Sequence, residues 1–104
     1  MASLRGAAGA QPPPDQLAAF YKLVEKKAIA SALCRHARAA ELSASAAVLA
    51  EVLFGGDDSL VVASLRMGEC HSLTSLAGTA SGAEEEAFFR RSWGVLELVI
   101  PLLR

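Results

Sequence analysis

Leu49-Ala-Glu-Val-Leu-Phe-Gly-Gly-Asp-Asp-Ser-Leu-Val-Val-Ala-Ser-Leu-Arg-Met-Gly68 holds the sharpest interruption in an otherwise nearly unbroken helical pattern. The paired glycines, Gly55 and Gly56, supply the positive φ that ends a helix, and Asp57 or Asp58 can accept from the N–H groups that open the next one. The stretch therefore reads as a corner between two antiparallel helices, with Val52, Leu53 and Phe54 brought against Leu60, Val61 and Leu65.

Upstream of the corner, the segment from Ser31 to Phe54 reads as one helix with a weak spot at Ser43 to Ser45. Small residues line its contact face, Ala37, Ala40, Ala44 and Ala47, with Leu33 and Leu42 nearby. Ahead of it, Asp15 follows a proline run as an expected N-cap. Leu17, Phe20, Tyr21, Val24 and Ala28 then recur at helical spacing, with Lys22 and Lys26 opposite.

Downstream, the helix from Asp58 to about Leu76 is apolar almost all round, as expected of one packed on both sides. Arg66 and Glu69 are its only charges and mark the arc expected to reach water. Gly68 in mid-helix implies a close neighbouring backbone, since glycine there costs about 1 kcal/mol relative to alanine.

Gly78 to Gly82 is the next expected connection, and Ser81 with Glu84 fits a capping box. A last helix follows, with Phe88, Phe89, Ser92, Trp93, Leu96, Val99 and Ile100 as its apolar face and Glu86 and Arg90 as an outer ion pair. Pro101 should end or kink it.

The whole is all-α, with about four helices in antiparallel pairs. Alanine supplies roughly a fifth of the 104 residues while β-branched residues are sparse, a balance that favours helix over sheet. Residues 1–14 (MASLRGAAGAQPPP) read as a disordered lead-in and 15–104 as one helical-repeat domain.

A net charge of −1 gives no electrostatic case for nucleic acid or an anionic membrane. The charge is uneven, however. Residues 1–38 carry six basic and two acidic side chains, and the remainder four basic and nine acidic, so the balance moves from +4 to −5. A solvated face is the first reading of that asymmetry, and head-to-tail contact between copies the alternative.

No uncharged apolar run approaches the length of a membrane span. Two cysteines with no apolar leader ahead of them point to free thiols in a reducing, cytoplasmic setting.

Pairs of helices with small residues at their contacts resemble tetratricopeptide repeats, in particular the kinesin-light-chain type. Met67-Gly68 followed by His71 is similar to the Leu-Gly-x-x-Tyr portion of a repeat's first helix, and Phe89 followed by Ser92 resembles the aromatic and small positions of its second. The segment Leu53 to Ala63 looks like the corner between repeats. Ser64 stands where the family prefers Trp, Glu85 where it prefers Ala, and the terminal proline is displaced to Pro101. The resemblance covers roughly residues 31–104, and α-solenoids of the HEAT or armadillo kind are the alternative.

Candidate chemistry is thin. Cys34-x-His36 and Cys70-His71 cannot chelate zinc from a helix, because residues two apart point nearly opposite ways and adjacent ones diverge by about 100°. A nucleophilic Cys70 lacks a nominated oxyanion site or orienting acid. Glu84, Glu85 and Glu86 are explained by the helix dipole, and Gly55-Gly56 lacks the strand and the Lys-Ser/Thr of a phosphate loop. The basic residues of the first two helices lack interleaved exposed aromatics for stacking on bases. Trp93 reads as core, with an interface role as the rival.

The resemblance implies a non-catalytic module, without cofactor or metal, that binds a protein or peptide segment. The alternative is an obligate helical subunit that completes a larger assembly. Residues expected to meet a partner are Trp93, Leu98, Leu102 and Leu103 on the last helix, with Lys22 and Lys26 on the first. Leu98, Leu102 and Leu103 are expected to leave an apolar edge through which a homodimer forms.

Overall fold

A computed structural model describes residues 13–54 and 59–103 of the chain. Within them lie four helices, α1 (Pro14–Ala32), α2 (His36–Phe54), α3 (Ser59–Thr79) and α4 (Gly82–Val99), followed by a 3-10 turn, Ile100–Leu103. No strand occurs among the described residues. Residues 1–12 of the expected lead-in 1–14 and the corner glycines Gly55 and Gly56, with Asp57 and Asp58, lie outside them, while Pro13 and Pro14 open α1.

The helix ends differ from the sequence expectation in instructive ways. α1 starts on Pro14 with Pro13 as N-cap, so Asp15 sits in the first turn, where its charge meets the helix dipole rather than capping an N–H. Its C-terminus overruns the expected boundary at Ser31. The Arg35 N–H donates to the Ala30 carbonyl (2.8 Å) and the Cys34 N–H to that of Ser31 (3.0 Å), the paired bonds of a Schellman motif. Cys34 holds the positive-φ position of that motif, at +56°. Ser81 is the N-cap of α4 but makes no side-chain capping bond, so the expected box with Glu84 does not form. The connection before it is only Ala80 and Ser81. At the far end Pro101 falls in the 3-10 turn that replaces the last α-helical turn.

Packing follows chain order, α1 on α2, α2 on α3 and α3 on α4. One cluster joins Phe20 of α1, Ala46, Ala47 and Ala50 of α2, and Val62 and Leu65 of α3. A second joins Ala30 to Ala39 and Leu42, and a third joins Ala40, Leu73 and Val95. These contacts make each neighbouring pair antiparallel. They also bring α1 and α3 together over α2, and α2 and α4 together over α3. Eight of the fifteen buried apolar side chains are alanines, which lets the helix axes approach closely. The result is elongated, 50 × 29 × 15 Å with a radius of gyration of 15.1 Å, against about 13 Å for a compact domain of this length.

Several rotational settings are corrected by the structure. The buried side of α1 is Phe20, Leu23, Val24, Lys27 and Ala30, while Tyr21 and Ala28 of the expected stripe face out. On α2 the seam runs through Ala39, Ser43, Ala46 and Ala50 as well as Ala40 and Ala47, and Ala37 is exposed. Arg66 and Glu69 do not mark a water-facing arc. Their side chains are only 15% and 12% exposed and pair at 2.8 Å (Nη1 to Oε1). The open arc of α3 carries Leu60, Ser64, Met67, His71 and Thr74 instead.

Gly68 answers no close backbone. A Cβ there would lie 3.6 Å from Ser43 Oγ and 3.7 Å from Lys27 Nζ, an ordinary contact.

Candidate functional site

The convergence of α1 and α3 over α2 leaves a groove of about 410 Å³. Phe20, Tyr21 and Val24 form one wall and Leu60, Val61 and Leu65 the other. Phe20 is held by an edge-on contact with Phe54, ring centroids 5.5 Å apart, which fixes the floor. Tyr21 and Leu60 stand exposed on opposite lips. Among the described residues Lys27 is the only charged side chain lining the groove. Its ammonium end lies over Gly68, beside the buried Ser43 hydroxyl, which has no hydrogen-bond partner among the described residues.

A smaller recess of about 220 Å³ opens at the free edge of α1 and α2. Ile29, Leu33 and Leu42 line it, with Lys26, Arg35 and Arg38 on its rim.

The sequence-nominated partner residues fall in separate places. Lys22 and Lys26 are exposed on α1, Lys26 on the rim of the recess shared with α2. Trp93 is 63% exposed on α4, so its reading as core is overturned: the inward stripe of α4 is Phe88, Ser92, Val95 and Val99, one residue out of step with Phe89 and Trp93. Leu98 and Leu103 are exposed, but Leu102 packs inward against the first cluster and leaves the expected C-terminal edge.

The outward arc of α4 also carries Glu86 paired with Arg90 and the exposed Glu97. A groove between successive helix pairs was expected, but its lining residues were not nominated, because that requires knowing that Phe20 and Leu60 line one groove from helices separated by α2.

The cysteines are free and play different parts. Cys34 is exposed at the α1–α2 corner. Cys70 Sγ lies 2.9 Å from Ser92 Oγ, which also meets Thr74 Oγ1 at 3.1 Å, so Cys70 belongs to a polar knot that ties α3 to α4. Among the described residues no group of three or more His, Cys, Asp or Glu side chains is placed to hold a metal ion. No described helix is long and apolar enough to cross a membrane.

No family model matches the chain, and no curated protein or solved structure does.

Proposed function

We propose that the chain is a non-catalytic protein-protein interaction module, a tetratricopeptide-like helical-repeat scaffold whose α1 and α3 together receive a protein or peptide segment. The observation that carries this reading is the open groove with Tyr21 and Leu60 on its lips, apolar on both walls and shaped by two helices that both pack on α2. Grooves of this kind take an extended or helical segment through a few apolar anchors. A cytoplasmic setting belongs to the same reading and rests on the two free thiols.

Peptide display against the full chain tests it. Selected peptides should lose roughly tenfold or more in affinity on Leu60→Arg, at an exposed lip, and be indifferent to Val48→Arg on the exposed back of α2. Peptides that ignore Leu60→Arg, or a selection that enriches none, contradict the groove.

A second reading, an obligate subunit of a larger assembly, draws on the exposed Trp93, Leu98 and Leu103. It predicts a molten chain when expressed alone, whereas the module reading predicts cooperative thermal unfolding by near-ultraviolet circular dichroism.

A further inference from the structure

On α2, Ala39 and Leu42 face α1, while Ala40 and Ser43, each one residue further along, face α3. A helix of this array thus presents two adjacent stripes, one for the helix before it and one for the helix after. On α4 the first stripe is filled by α3 through Phe88, Ser92, Val95 and Val99. The stripe one residue further along is Phe89, Trp93, Leu96 and Ile100, and three of these four are exposed. It is the seat a following helix would occupy.

The opposite edge of the molecule is its counterpart. Lys22, Lys26, Ile29 and Leu33 recur on α1 at i, i+4, i+7 and i+11, and all four are exposed.

We infer that the occupant of the α4 seat is α1 of a second copy of this chain, giving head-to-tail association. The chemistry of the two stripes matches in the antiparallel sense that every neighbouring pair of helices here obeys. With Trp93 set against Lys26, four residues along α4 place Glu97 at the level of Lys22. Four residues back place Phe89 at the level of Ala30, next to Ile29. The ammonium of Lys26 over the indole and the Lys22–Glu97 pair are both favourable. Phe89 and Ile29 supply the apolar contact. Glu97 has no ion-pair partner among the described residues, nor do Lys22 and Lys26. α1 carries three basic and two acidic side chains and α4 two basic and four acidic, and this opposite sign favours the same approach at longer range.

Such a contact is heterologous. Each copy keeps one free head and one free tail, so assembly does not stop at two.

Sedimentation velocity of the full chain across low to high micromolar concentration is the test, with a head variant (Ile29→Glu) and a tail variant (Trp93→Glu), both at exposed positions. Wild type should grow past the dimer, and each variant alone should weaken association roughly tenfold or more. Mixed in equal amounts, the two variants should form a dimer and nothing larger, because only one intact head and one intact tail remain between them. Lys22→Glu and Glu97→Lys should each weaken the contact, and the double variant should restore it. A strictly monomeric wild type overturns the proposal. So does a head variant that dimerises as well as wild type, which would place the contact between two tails.

Discussion

Cys34 is the residue that the sequence disguises. A helix that ends in a Schellman motif ordinarily places glycine at the left-handed position, and here a cysteine stands there at φ +56°. With no glycine to mark the stop, the α1–α2 corner has no local signature, and the pattern runs straight through it. A left-handed non-glycine residue costs about 1–2 kcal/mol, part of which glycine returns as unfolded-state entropy. Cys34→Gly should therefore stabilise the chain by about 1 kcal/mol, read as a rise of about 4–8 °C in melting temperature. An unchanged or lower melting temperature would contradict the corner.

Gly68 is the converse case. The space over it is ordinary, so Gly68→Ala should stabilise α3 by about 0.5–1 kcal/mol through helix propensity. A loss would mean that Lys27 cannot give way. The Arg66–Glu69 pair sits where burial makes one lost partner costly. Arg66→Ala should cost about 1–3 kcal/mol in denaturant unfolding. Arg38→Ala, from an exposed pair with Glu41 at 3.5 Å, should cost no more than about 0.5 kcal/mol. Equal costs would remove the case for a buried pair.

At the scale of elements, the existence and order of the four helices were legible in the alanine content, the helical spacing and the breaks. Their rotation about their own axes was not. α3 is apolar on nearly every side, so its composition cannot say which arc is open, and the open arc is set by α1, α2 and α4 closing on the others. α1 misleads for a related reason. Its inward stripe includes the half-buried Lys27, whose ammonium lies over Gly68, and a stripe that excludes charge shifts by about one residue. On α2 the fully buried Ala46 and Ala47 lie in the cluster shared with α1 and α3. Ala47→Leu should cost about 1–3 kcal/mol through overpacking, while Ala37→Leu on the exposed side should stay within about 0.5 kcal/mol. If Ala47→Leu is neutral by urea unfolding, the alanine seam is looser than drawn.

At the scale of the whole molecule, the four described helices form an open array. The groove exists because α1 and α3 meet over α2 without a fourth helix closing on them, and the two edges exist because α1 and α4 make no extensive contact. A closed four-helix bundle built from the same four segments would bury both edges and fill the groove. Its sequence pattern would look much the same, which is why periodicity alone does not separate the two. Electron–electron distance measurement does. Spin labels at Glu25→Cys on α1 and Gly94→Cys on α4, both exposed, are placed in a chain whose native cysteines are replaced and diluted into excess unlabelled protein. In a bundle these helices are neighbours with axes about 8–10 Å apart. The open array predicts a label separation beyond roughly 20 Å, because α2 and α3 intervene and three such spacings run along the array from α1 to α4. A short separation would contradict it.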